Sequence, residues 1–146
     1  MANIQPRSIA VLLGVKPKSR VFTSLDLARE VGRGLSVVAI DRLCGAIAPS
    51  EPNLRYRIVS KATLARRYRS ANRRLSREES DRLARLARLW AFATDIWGSE
   101  EDARRFLNEP HPLLGGRVPR DVATETEIGA RAVEELLGRL KYGSAA

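Results

Sequence analysis

Apolar positions along this 146-residue chain recur at threes and fours, the spacing of helices with one buried face. Ser24 stands as the N-cap of a helix over residues 25–32, with Leu25, Ala28 and Val31 on its apolar side. Gly32 and Gly34 end it. Ser36 caps a second helix whose apolar positions are Val38, Ile40, Leu43 and Ile47, and Pro49 and Pro52 bracket its end. Residues 53–59 are ambiguous. Leu54, Tyr56 and Ile58 alternate as in a strand, yet the flanks favour a short helix, which is the reading adopted. Ser60 caps a helix over residues 61–70, and Asn72 turns the chain. Ser76 and Glu79 form a capping box that opens a long helix. In it Leu83, Leu86, Trp90, Ala93, Ile96 and Trp97 make a stripe that Ala87 and Leu89 widen, and Gly98 stops it. Ser99 with Asp102 opens a short helix to Leu107. An irregular connector around Pro110, Pro112, Gly115, Gly116 and Pro119 follows. Thr124 and Glu127 then read as a last capping box, opening a helix to about Leu140 with Ile128, Val133, Leu136, Leu137 and Leu140 on one face. Residues 1–23 carry few signals and read as a partly ordered arm. The class is all-α, about seven helices with short loops and no sheet.

Composition supports this and adds a partner. Ala, Leu, Arg and Glu dominate, and the 44% apolar content suffices for a core. The net charge is +9 and unevenly spread. Up to Leu75 there are 15 Lys and Arg against 4 Asp and Glu; from Ser76 onward, 11 against 13. A basic half of this kind points to nucleic acid. No apolar run is long enough to span a bilayer, and the run 9–13 after Arg7 is too short for a signal peptide. Cys44 is the lone cysteine, so no disulfide forms within the chain, which suits a reducing cytoplasm.

The basic residues concentrate where a helix–turn–helix reader would need them. Arg55, Arg57, Lys61, Arg66, Arg67, Arg69, Arg73 and Arg74 come with no acid between them. Leu64 and Tyr68, four apart, can dock the helix that Ser60 opens. Lys61, Thr63, Arg66, Arg67 and Arg69 then face outward for phosphates and base edges. A charged face that only solvates normally mixes signs, and this one does not. Catalytic chemistry is absent from the pattern. His111 is the single histidine, set between Pro110 and Pro112, and Cys44 lies on an apolar helix face. Together they cannot build a zinc site, and no cofactor, metal or small-molecule substrate is expected. The segment 114–117, Leu-Gly-Gly-Arg, has neither the preceding strand nor the G-K-[ST] of a phosphate loop. It is either a plain connector or a tight turn that presents Leu113, Leu114 or Arg117 to a partner. Trp90 and Trp97, seven apart, read as core.

The later half resembles the MbcA/ParS/Xre family of antitoxins, partners of RES-domain toxins. The resemblance is carried by Arg74-Leu75-Ser76-Arg77-Glu78-Glu79-Ser80-Asp81-Arg82-Leu83, Ile96-Trp97-Gly98-Ser99-Glu100-Glu101-Asp102-Ala103 and Phe106-Leu107. It continues through Pro110, Leu114-Gly115-Gly116, Pro119 and Asp121, then Gly129, Val133, Leu137-Gly138-Arg139 and Tyr142-Gly143. The stretch 24–43 is similar to the family's N-terminal region more loosely. Val118, Val122-Ala123, His111 and the segment 51–60 depart from the family's pattern. The resemblance implies three parts: an arm (1–23), an Xre-like DNA-binding part (24–75) that represses its own operon, and a helical toxin-binding part (76–146). It implies a non-enzymatic cytoplasmic protein whose toxin consumes NAD, with the antitoxin's tail at the toxin's active-site mouth. Leu113, Leu114, Gly115, Gly116, Arg117, Pro119, Arg139, Lys141, Tyr142 and Gly143 would then be the toxin contacts. The expected partners are that toxin, operator DNA and a second copy of the chain, with no membrane. The alternative is a stand-alone helix–turn–helix regulator. The break near Leu75 separates two surfaces of one body, because the long helix after it can pack on both sides.

Overall fold

The structure is a computed structural model that describes residues 5–143. Among them are α1 (Pro6–Leu12), α2 (Ser24–Gly32), α3 (Val38–Ile47), α4 (Arg55–Ile58), α5 (Lys61–Arg69), α6 (Arg77–Trp97), α7 (Glu100–Asn108), α8 (Pro119–Glu125) and α9 (Glu127–Tyr142). Short 3-10 turns at Pro52–Leu54 and Pro112–Leu114 complete it. No strand occurs among the described residues; Ser36 with Arg74 and His111 with Arg117 make isolated bridges only.

Local chemistry explains most helix ends. In α6 the Ser76 hydroxyl accepts from the Glu79 N–H (3.1 Å) while the Glu79 carboxylate accepts from the Ser76 N–H (2.7 Å), so two orphan donors are satisfied reciprocally. Gly98, at φ 70°, stops the helix in a conformation that a side chain would disfavour. Ser60 and Ser99 cap α5 and α7 as expected, accepting from the N–H groups of Thr63 and Asp102. Residues 53–58 are helical, as a 3-10 turn running into α4, and Val59 is extended.

Helix α6 is the central post. Its Leu83, Leu86, Ala87, Leu89, Trp90 and Ala93 are buried, and α1, α2, α3, α4, α7, α8 and α9 all pack on it. Against it lie Ile40, Leu43 and Ile47 of α3, Leu107 of α7, and Val133 and Leu137 of α9 in one continuous core. Each such side chain contributes about 1.5–3 kcal/mol by leaving water.

Several expectations are corrected. The arm assigned to residues 1–23 contains α1, whose Ile9 and Ala10 are buried together with Leu13 just after it. Seven residues are too few to set a clear period, and the order of α1 comes from packing on α6, α2 and α3. The N-cap of α2 is Thr23, not Ser24; Thr23 and Asp26 form the capping box. On α2 Leu27 is half-buried and Leu25 exposed, so the inward stripe runs through Leu27 and Val31. Ser36 lies one residue ahead of the α3 cap, Val37. The connector after α7 contains α8, opened by Pro119 at a position where a missing N–H costs nothing. Thr124 therefore sits inside α8, where its hydroxyl donates to the Asp121 carbonyl, and Thr126 caps α9 instead. Ile128 is 81% exposed and Leu140 is half out of the core, so the buried face of α9 is narrower than its apolar stripe.

The α8–α9 corner depends on the absence of a side chain at Gly129. A Cβ there would overlap the Val122 carbonyl oxygen, which is backbone and cannot swing aside. Gly138, in the same helix, faces open space. Gly129→Ala is expected to destabilise the protein by about 3 kcal/mol, as overpacking does. Gly138→Ala should stabilise it slightly through helix propensity. Thermal unfolding of the two variants should therefore move in opposite directions. Equal melting temperatures would mean that the corner is slack.

Candidate nucleic-acid and partner surfaces

Helices α4 and α5 meet at the turn Val59-Ser60. Leu64 buries and Tyr68 half-buries on the inner side of α5. Tyr68 donates its hydroxyl hydrogen to Asp41 of α3, and Arg55 of α4 donates to the same carboxylate at 2.5 Å. Burial, and then that acceptor, push the Tyr68 phenol up to about 12, so it remains a donor. Asp41 thus ties three helices together beneath the outer face of α5. That face presents Ala62, Ala65, Arg66 and Arg69 along one side, with Lys61 at its start.

The structure sorts the basic residues singled out in the sequence. Arg55, Arg57 and Arg67 have carboxylate partners from distant segments: Asp41, Asp121 (3.0 Å) and Glu79 (3.1 Å). Arg74 donates to the Gly34 carbonyl at 2.7 Å. Arg73 takes a left-handed backbone, φ 51°, and lays its guanidinium over the Tyr68 ring at 5.4 Å. Thr63 is half-buried, its hydroxyl accepting from Ser60. Lys61, Arg66 and Arg69 are exposed and have no ion pair among the described residues. Sequence reasoning overlooked Asp41, Glu79 and Asp121. A stretch free of acids is not a surface free of acids, because α3, α6 and α8 supply them. Burial alone would push the Glu79 carboxyl up, but the Ser76 N–H and Arg67 outweigh it and hold the group below the usual glutamate range.

The other surface lies toward the ends of α6 and α9. His111 caps the 3-10 turn, its Nδ1 accepting from the Leu113 N–H at 3.1 Å, and Gly115 and Gly116 follow with φ 66° and 78°. These left-handed residues turn the chain back so that the His111 N–H reaches the Arg117 carbonyl at 3.0 Å. Leu113 is left 67% exposed at the tip. Leu114 is half-buried against the core, and Pro119 is buried. Arg117 is held by Glu125 at 2.9 Å. At the C-terminal end of α9, Lys141 pairs with Asp95 of α6 at 2.8 Å, Arg139 is exposed, and Tyr142 is 63% exposed ahead of Gly143. Trp90 is core as expected, but Trp97 is not, being 40% exposed at the end of α6.

The two surfaces belong to one framework. Arg120 of α8 is buried and reaches Glu51 before α4 and Asn108 of α7. Asn108 donates to the Ile47 carbonyl, and Arg104 to that of Ala46, at 2.9 Å each. No metal-binding cluster occurs among the described residues. Burial raises the Cys44 thiol to about 12, which leaves it unreactive. No helix among the described residues is long and apolar enough to cross a membrane.

A docked helix whose Lys61, Arg66 and Arg69 have no ion pair among the described residues, set on a helical body with a separate apolar end, has the form of a helix–turn–helix protein with a second surface fit for a partner. The family models agree with both parts. One described as "Antitoxin Xre-like helix-turn-helix domain" matches residues 26–88, and one described as "Antitoxin Xre/MbcA/ParS C-terminal toxin-binding domain" matches residues 92–143. An Antitoxin Xre of Yersinia enterocolitica is 36% identical over 129 residues, 87% of this chain and 84% of that protein. An Antitoxin Xre of Pseudomonas putida is 33% identical over 99 residues, 68% of this chain and 59% of that one. A third, from Photorhabdus laumondii, is 32% identical over 75 residues, 51% and 50% of the two chains. The chain belongs to the Xre/MbcA/ParS family of antitoxins.

Proposed function

We propose that this antitoxin neutralises a RES-domain, NAD-degrading toxin in the cytoplasm by covering its active site, and that it represses its own operon as a homodimer. The observation that carries the reading is the segregation of two surfaces on one framework. Lys61, Arg66 and Arg69 project from α5 without carboxylate partners among the described residues, and Leu113 and Tyr142 stand exposed on a domain matched as toxin-binding. On the first surface Ala62 and Ala65 keep the start of α5 slim enough to approach a groove floor, while the cations meet phosphate and base edges. Thr63, Arg55, Arg57 and Arg67, the last three in ion pairs with Asp41, Asp121 and Glu79, position the helix, and Arg73 and Arg74 add positive field. On the second, the turn of Leu113, Leu114, Gly115, Gly116, Arg117 and Pro119 and the tail of Arg139, Lys141, Tyr142 and Gly143 form the cover. A homodimer would place two copies of α5 on successive half-sites. Exposed Val11, Val21 and Leu25 offer apolar area for that contact. The chemistry resides in the toxin, and this chain acts by exclusion.

The test is co-expression with the adjacent gene. The toxin alone should drain cellular NAD. With this chain present, NAD should hold, the two proteins should co-purify, and the chain should retard its own promoter fragment. A chain that retards the promoter but leaves NAD loss untouched is a stand-alone regulator.

A further inference from the structure

Trp97 and Trp90 lie seven residues apart on α6, so they share a helix face, yet Trp90 is buried and Trp97 is 40% exposed. The helix simply outruns the core. Phe106 of α7 lies beside the Trp97 ring at a centroid distance of 6.0 Å and a tilt of 40°. Phe106 in turn receives His111 edge-on at 5.9 Å, and His111 holds the N–H of Leu113. Trp97, Phe106, His111 and Leu113 therefore form one supported stack from the end of α6 to the tip of the glycine turn. On the other side, the Lys141–Asp95 pair fastens the end of α9 to the last turn of α6. Leu140 and Tyr142, both exposed, flank that pair. Four large apolar side chains thus gather at one end of the molecule, all inside the segment matched as toxin-binding.

We propose that Trp97 is the central anchor of the toxin contact, seated in an apolar hollow of the toxin. This rests on the toxin reading given above. The physical case is preorganisation. An indole has two side-chain torsions, and this ring already rests against Phe106, so little freedom is lost when its exposed part is covered. Exposed aromatic residues ringed by lesser apolar contacts are the residues on which interfaces concentrate their affinity. Leu113, joined to Trp97 through Phe106 and His111, would extend the contact to the tip of the glycine turn, and Leu140 and Tyr142 would add apolar area at the end of α9.

The test uses the full chain labelled with 5-fluorotryptophan, which gives two fluorine resonances; Trp97→Phe assigns them. Titration with unlabelled toxin, carrying a substitution that removes its activity, should move the Trp97 resonance and leave that of Trp90 in place. Trp97→Ala should weaken the complex on the order of 30-fold or more, and Trp97→Phe far less, with promoter binding unchanged in both. A wild-type complex in which the Trp97 resonance stays still overturns the anchor while leaving the toxin reading intact. So does Trp97→Ala binding within about threefold of wild type. Failure of the wild-type chain to form any complex overturns both.

Discussion

A chain shortened to end at Arg139 should lose toxin neutralisation altogether while retaining promoter binding. The deletion spares the core, since Val133, Leu136 and Leu137, the buried residues of the second half of α9, all precede the cut. What leaves the described part of the molecule is half-exposed Leu140, Lys141 with its surface pair to Asp95, Tyr142 and Gly143. Surface pairs of this kind contribute little to folding, so the melting temperature should fall by no more than a few degrees. Interface energy is concentrated in a few residues, and an occluding tail works only when it is present. Loss of the aromatic end should therefore open the toxin's mouth rather than merely weaken the complex. The measurement is NAD content and survival in cells expressing toxin with full-length or shortened antitoxin, alongside a promoter gel shift. Survival with the shortened chain would sink the occlusion mechanism, whatever happens to DNA binding.

The second large effect concerns α5. Replacing Lys61, Arg66 and Arg69 together by Ala should lower promoter affinity on the order of 100-fold or more at moderate salt. It should also flatten the plot of log affinity against log salt by about 2.7, three phosphate contacts at about 0.9 each. Folding should survive, because these side chains are exposed, have no ion pairs among the described residues, and give way to a better helix former. Arg67→Ala makes the instructive contrast. Arg67 covers the buried Glu79 carboxylate, so its removal leaves a desolvated anion short of a donor. That should destabilise the protein by about 1–3 kcal/mol before DNA is considered. Gel shifts over a salt series, paired with thermal melts, separate the two cases. A triple variant with an unchanged salt slope would remove α5 as the DNA contact.

Much of this architecture was legible because helix ends are local events. Ser60 with Thr63, Ser76 with Glu79 and Ser99 with Asp102 satisfy backbone donors within a single turn, so residues three apart suffice to place them. The same locality misled at Thr124 and Glu127, where a box of the right spacing was pre-empted by α8. Pro119 opens that helix, and it consumes Thr124. Helix α1 escaped because its seven residues, about two turns, are too few to show a period. Trp97 was assigned to the core because period alone cannot say where the core ends.

The chain alone determined its all-helical class, both termini of its longest helix and the excess of positive charge before Leu75. Each depends on neighbours within a few residues or on a sum over many. Tertiary structure alone decided which arginines remain free, since Asp41, Glu79 and Asp121 come from other helices to hold Arg55, Arg67 and Arg57. It alone decided that of two tryptophans on one helix face the first is buried and the second bare. A charge or an apolar ring has its role set by what stands within a few ångströms of it, and in a packed bundle those neighbours come from far along the chain.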